Sequence, residues 1–268
     1  MKVARNFRSI LALTVAAVAV AAARPAIAED NAPAQPACAA PGDLVRLDYS
    51  LKRTAQKILA KEPLTIVAIG SSSTFGAGAS SPAQSYPSRL QVELQALAPH
   101  SPVTVYNRGV NGEVTSEMLA RFDRDVFAAN PDLVIWQVGS NSVLQERPLG
   151  PAATLIHDGL QRLKAAGVDI ILMNPQYAPK VIAKHDADLM VDLIALAAKE
   201  SSTNLFQRYA LMRYWRLTED LPFSAFVSKD ELHMNDWSYG CEAKLLAGAI
   251  NDVVMRATVT ATARPPRR

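Results

Sequence analysis

Five short apolar runs alternate with stretches of helical periodicity, and this alternation constrains the fold more than any other feature of the chain. The runs are residues 64–69 (LTIVAI), 103–106 (VTVY), 132–138 (DLVIWQV), 168–173 (VDIILM) and 203–206 (TNLF). Short runs rich in β-branched residues and closed by turn residues read as buried strands. Helical spacing of apolar residues covers 43–61, 85–97, 113–129, 151–166, 186–199 and 239–255. Pro151 suits the first turn of its helix, and Gly167 suits the stop. Strands alternating with helices imply parallel βαβ units. Five of them predict a three-layer α/β/α domain with a five-stranded parallel sheet. In such sheets the ligand crevice lies outside the carboxyl ends of the strands. The informative residues are therefore those that directly follow each apolar run.

The amino-terminal residues speak to compartment. Lys2, Arg5 and Arg8 precede an apolar run over residues 10–23, which is followed by Ala26-Ile27-Ala28 and then by Glu29 and Asp30. This is the charged, apolar and cleavage-site order of a secretory signal peptide. The run is short against the roughly 20 residues of a spanning helix. Cleavage after Ala28 and export to a periplasmic or extracellular space are expected. Export changes the charge argument. The net charge is +3, and residues 1–28 carry Lys2, Arg5, Arg8 and Arg24 without an acid, so the mature chain would be 3 − 4 = −1. Such a chain has no nucleic-acid footprint, and no membrane span is expected after cleavage. Residues 29–42 read as an irregular arm, residues 43–257 as the folded domain, and residues 258–268, ending Arg264-Pro-Pro-Arg267-Arg268, as a basic flexible tail. Cys38 and Cys241 are the two cysteines. In an oxidising compartment they are candidates for a disulfide tying the arm to the last helix. Two unrelated buried thiols are the alternative.

Four polar motifs carry the chemistry. Gly70-Ser71-Ser72-Ser73 follows the first strand, where small residues permit a sharp turn and the next helix presents N–H groups to an anion. Asn107-Arg108-Gly109 follows the second strand, and Gly139-Ser140-Asn141 the third. Asp230-Glu231-Leu232-His233 precedes the last helix. An Asp three residues before a His can hold the imidazole in one tautomer. His100, His157 and His185 are scattered, and no His, Cys and carboxylate spacing suggests a metal site. No cofactor is implied. Composition alone does not choose among Ser71, Ser72 and Ser73, and spacing alone does not choose between Asp230 and Asp236.

In this order the motifs resemble the SGNH (or GDSL) hydrolase family, over nearly the whole domain. The resemblance implies a flavodoxin-like sheet and an esterase with Ser72 as nucleophile, His233 as base and Asp230 as its orienting acid. It also implies an oxyanion hole built from the backbone N–H groups of Ser72 and Gly109 and the side chain of Asn141. The usual Gly-Asp-Ser is here Gly70-Ser71-Ser72, and Ser142 stands where an Asp often follows the Asn. Asp236, in Asn235-Asp236-Trp237-Ser238, is expected to cap the last helix instead.

Gln176 and Tyr177 follow the fourth strand, where substrate-facing groups are expected; a capped loop between prolines is the alternative. The expected activity is hydrolysis of short-chain acyl or acetyl esters, with a small molecule or a glycan as the alcohol. Acyl transfer to a glycan at the same site is an alternative. A non-catalytic glycan-binding module is another, but it has no need of a complete Ser, His and Asp set.

Overall fold

The computed structural model describes residues 35–262, with side chains to residue 256. The expected signal peptide and residues 263–268 of the expected tail lie outside the described residues. Strands β1 (Leu64–Gly70), β2 (Val103–Gly109), β3 (Leu133–Gln137), β4 (Asp169–Met173) and β5 (Asn204–Phe206) pair in parallel, in the order β2-β1-β3-β4-β5. This is the expected flavodoxin-like order, and its switch point lies at β1, where the connections leave in opposite directions. The helices are α1 (Gly42–Val45), α2 (Lys52–Ala60), α3 (Ser72–Phe75), α4 (Tyr86–Leu97), α5 (Thr115–Ala120), α6 (Phe122–Asp125), α7 (Ser140–Leu144), α8 (Leu149–Ala165), α9 (Pro179–Ile182), α10 (Ala187–Glu200), α11 (Arg208–Leu217), α12 (Phe223–Phe226) and α13 (Asp236–Thr262).

Side chains alternate across the sheet and build a core on each face. Ile66, Ala68, Leu133, Ile135 and Met173 pack with Leu90 and Leu94 of α4, Met212 of α11 and Leu246 and Ile250 of α13. Val67, Ile69, Val134, Trp136 and Leu172 pack on the other face with Met118 of α5, Ile156 and Leu160 of α8 and Ile194 of α10. Because both faces are covered, the strands read as continuous apolar runs rather than as alternating ones.

The structure departs from the sequence expectation in five places. The helix expected over 43–61 is broken between α1 and α2. Arg46 is extended (φ −72°, ψ 133°) and Leu51 is non-helical (φ −103°, ψ 81°). Leu47 and Leu51 keep a helical spacing but are buried from an extended segment, which the Asn204 amide pins through both the N–H (2.8 Å) and the carbonyl (2.9 Å) of Tyr49. The helix expected over 113–129 breaks into α5, α6 and a 3-10 turn at Phe127–Ala129. Helix α11 was not anticipated, and α13 runs on into the stretch assigned to the tail. Finally, Asp236 does not cap α13. Asn235 does, its Oδ1 accepting the Ser238 N–H at 3.1 Å while Ser238 Oγ accepts the Asn235 N–H at 3.0 Å. Asp236 instead accepts the N–H (2.7 Å) and hydroxyl (2.5 Å) of Ser80.

Cys38 and Cys241 form a disulfide, with Cα atoms 5.4 Å apart. Two indoles flank it: Trp237 Nε1 donates to Pro36 O and Trp215 Nε1 to Ala39 O, both at 2.9 Å. The arm is thus fixed to α13 and α11. A crosslink across 203 residues removes much of the freedom of the unfolded chain. Replacing both cysteines by Ala should lower unfolding free energy by about 2–5 kcal/mol. Urea unfolding of the two proteins checks this; coincident curves would contradict it.

Candidate active site

The carboxyl end of the sheet gathers the motifs. Ser72 opens α3 directly after β1, at the switch point. Across from it, residues 228–233 form a tight reversal. Val227 and Met234 bridge as antiparallel partners, and the Ser228 N–H donates to His233 O at 2.7 Å. At the turn Glu231 takes φ 60°, and its carbonyl accepts the Lys180 N–H at 3.1 Å. Asp230 organises this turn. Its Oδ1 accepts Ser228 Oγ (2.6 Å), the Leu232 N–H (3.0 Å) and the His233 N–H (2.9 Å), the pattern that favours Asp in turns.

The other oxygen completes a relay. Asp230 Oδ2 lies 2.5 Å from His233 Nδ1, and His233 Nε2 lies 2.8 Å from Ser72 Oγ. The three side chains that the sequence singled out, separated by up to 161 residues, are therefore in line. Partial burial by itself would raise the Asp230 carboxyl. The hydrogen bonds from Ser228, from the His233 side chain and from the backbone of His233 and Leu232 outweigh it and hold the group well below the usual carboxylate range. Asp230 is thus ionised at neutral pH. Asp236, spent on Ser80, is not in the relay.

The neighbouring serines have other work. Ser71 is 1% exposed and gives both its N–H and its hydroxyl to Gln137 Oε1 at 2.9 Å. Ser73 is also buried, and its Oγ accepts Arg208 Nη1 at 3.1 Å. Ser72 is the more exposed of the three and the one facing His233.

Asn141 reaches the site from α7. Its Nδ2 donates one proton to Glu113 O at 2.8 Å, which leaves the second available. Arg121 stiffens this edge from beneath. It is 6% exposed and donates to Glu113 Oε2 (2.7 Å), Asp125 Oδ2 (3.0 Å) and Gly70 O (3.2 Å).

One expected donor is revised. The N–H of Gly109 is occupied by Asn107 Oδ1 at 2.9 Å, so it does not face an incoming oxygen. Gly109 has a packing role: a Cβ there would sit 2.0 Å from the Phe75 nitrogen, where β2 passes α3. A backbone donor is offered instead by Gly112, which directly precedes in sequence the Glu113 whose carbonyl Asn141 binds. Gly112 has φ +81°, a conformation that favours glycine, and among the described residues its N–H and that of Ser72 take no partner. The sequence carried a signal for it in the second glycine of Asn107-Arg108-Gly109-Val110-Asn111-Gly112.

The substrate-facing role expected of Gln176 is also revised, while Tyr177 stays partly exposed. Gln176 is 1% exposed, with both ends of its amide hydrogen-bonded inside the protein. Tyr177 packs edge-on against Tyr209 at 5.1 Å and stacks on Phe223 at 5.9 Å. Trp215 is buried packing as well. Among the described residues, no cluster of His, Cys, Asp or Glu is placed to hold a metal ion, and no helix is long and apolar enough to cross a membrane.

Helix α13 carries an unusual buried carboxyl group. Glu242 of α13 is fully buried, and neither carboxylate oxygen has a hydrogen-bond partner. Burial pushes its pKa from 4.5 up to about 7, against the pull of the Arg208 charge. The folded chain holds this proton more tightly than the unfolded chain does. The stabilisation is therefore full below about pH 4.5 and is lost as pH rises through about 7. Each pKa unit corresponds to about 1.4 kcal/mol. Urea unfolding from pH 5 to 8 should show wild-type stability declining by a few kcal/mol relative to Glu242→Gln. Parallel pH dependences would contradict this.

A family model described as the non-GDSL lipase-like family matches residues 37–256, which include every one of these groups. The chain belongs to the non-GDSL lipase-like family. That name accords with Ser71 in place of the Asp of Gly-Asp-Ser. An arylesterase from Vibrio mimicus is 27% identical over 123 residues, 46% of this chain and 60% of the relative. An acetylxylan esterase from Geobacillus stearothermophilus is 36% identical over 56 residues, 21% of this chain and 26% of the relative. The chain thus spans less than two thirds of the length of these curated relatives. Among solved structures, a two-domain esterase active on acetylated mannans superposes with a TM-score of 0.65 at 19% identity, over 79% of this chain and 56% of that one. A catalytic mutant of an acetylxylan esterase from Geobacillus stearothermophilus superposes with a TM-score of 0.60 at 20% identity, over 70% and 94%.

Proposed function

We propose that this chain is a serine esterase acting on short-chain acyl esters, acetylated glycans among them. The observation that carries the reading is the continuous relay from Asp230 through His233 to Ser72, at 2.5 and 2.8 Å. A serine hydroxyl is a weak nucleophile until a base takes its proton. His233 Nε2 takes the proton as Ser72 Oγ attacks the ester carbonyl, and returns it to the departing alcohol. Asp230, ionised and held by its own turn, fixes the proton on Nδ1 and stabilises the imidazolium. The negative charge on the former carbonyl oxygen is met by Asn141 and by the N–H groups of Ser72 and Gly112. Water, deprotonated by His233, then attacks the acyl-enzyme and frees Ser72.

The names of the relatives support an acetyl or other short acyl group, and the likeness to glycan esterases supports a sugar as the alcohol. Residues 1–28 are proposed as a cleaved signal peptide, and the Cys38–Cys241 disulfide supports an oxidising compartment. The test is a panel of aryl esters from acetate to palmitate together with acetylated xylan and mannan oligosaccharides, run with wild type and Ser72→Ala. Turnover is expected to peak at acetate and to vanish with Ser72→Ala. Turnover rising toward palmitate would overturn the acyl range, and an unaffected Ser72→Ala would overturn the mechanism.

A further inference from the structure

The two halves of the relay come from turns 161 residues apart, and a buried polar connection joins those turns from below. Arg208, at the start of α11, is fully buried. Its guanidinium donates to three groups: Asn174 O at 3.1 Å, Ser73 Oγ at 3.1 Å and Gln176 Oε1 at 3.2 Å. Ser140 Oγ donates to the same Gln176 oxygen at 2.8 Å. Two donors on one oxygen, one of them cationic, fix which end of the amide is which. The amide nitrogen is thereby turned toward Leu232 O, at 3.3 Å. Leu232 immediately precedes His233. Ser73 immediately follows Ser72.

We propose that Gln176, gripped by Arg208, is a positioning residue that sets the His233 turn against the Ser72 turn. This rests on the esterase reading above. Among the described residues, the Leu232 carbonyl accepts no other hydrogen bond. The turn is tied by Ser228 N–H to His233 O and by Lys180 N–H to Glu231 O, and the peptide leading into the imidazole is held from within the turn by Asp230, on the His233 N–H, and from outside it by Gln176, on the Leu232 carbonyl. A buried guanidinium and amide are costly to desolvate, and an apolar plug would seal the same space at less cost. What the polar set supplies is direction. Five elements meet on it: the turn after β1 through Ser73, α7 through Ser140, the segment after β4 through Asn174 and Gln176, α11 through Arg208, and the acid-base turn through Leu232. A shift of about 1 Å between nucleophile and base costs on the order of a hundredfold in rate.

Gln176→Glu separates this role from mere packing. The carboxylate keeps acceptors for Arg208 and Ser140 and nearly the same volume. It loses the donor to Leu232 and sets an oxygen against that carbonyl. Expected is a fall of about 10- to 100-fold in kcat for an aryl acetate, with KM within about twofold and an unchanged circular dichroism spectrum. The second readout needs no ester. Proton NMR of the wild-type protein should show a low-field resonance from the His233–Asp230 hydrogen, displaced or lost in Gln176→Glu. Gln176→Leu, which removes both contacts, should give the same two changes and serves if the Glu variant does not fold. A folded variant with wild-type kcat and an unmoved low-field resonance would overturn the proposal. If the wild type hydrolysed no ester but the resonance still moved, the esterase reading would fall and the positioning of His233 would stand.

Discussion

Asp230→Asn should fold normally and lose about four orders of magnitude in ester turnover. The structure explains why so small a change acts so strongly. Oδ1 of residue 230 accepts Ser228 Oγ and two backbone N–H groups. An asparagine satisfies those donors with its oxygen, which is why the turn survives. Its NH2 must then face His233 Nδ1, where the carboxylate oxygen now sits at 2.5 Å. Nδ1 becomes an acceptor, the imidazole proton moves to Nε2, and the ring presents a donor to Ser72 where it must present a base. Asp236→Asn should keep most of its activity, because Asp236 holds Ser80 and lies outside the relay. Steady-state kinetics with both variants decide the matter. Collapse of Asp236→Asn with survival of Asp230→Asn would exchange their roles.

Asn141→Ala should lower kcat by about 10² to 10³ while leaving KM nearly unchanged. The side-chain amide has one proton committed to Glu113 O, so a single N–H is removed from the developing charge. Behind it the buried Arg121 stays paired with Glu113 and with Gly70 O. That pairing keeps the loss local to the transition state. A variant with near-normal kcat would remove Asn141 from the mechanism.

The fold was legible because both faces of the sheet are covered, so that residues 64–69 and 132–138 announce themselves as strands. The breaks were not legible. Leu47 and Leu51 sit four apart as on a helix, but a side chain distant in sequence, Asn204, takes the backbone of Tyr49 and holds the segment extended. Tertiary contacts of this kind override local spacing. The relay residues could be named because the order of the four motifs resembles the SGNH family; composition does not choose among the three serines, nor spacing between Asp230 and Asp236. The supporting layer could not. Gln137 reads as the polar close of an apolar strand, and Arg208 opens a helix that went unrecognised, yet both are fully buried beneath Ser72. Gln176 was misread for the same reason: sequence placed it at a strand end, and the fold turned it inward. Gly109 and Gly112 look alike in sequence, and what their N–H groups bind is decided by the fold.

The most direct measurement is covalent labelling. The protein should be treated with an alkyl fluorophosphonate, and the modified peptide mapped by mass spectrometry. Ser72 alone should carry the label, since Ser71 and Ser73 are buried and bound to Gln137 and Arg208. Labelling should vanish in Ser72→Ala and persist in Ser71→Ala and Ser73→Ala. A label on Ser71 or Ser73, or an unlabelled Ser72 in protein that still hydrolyses esters, would contradict the account.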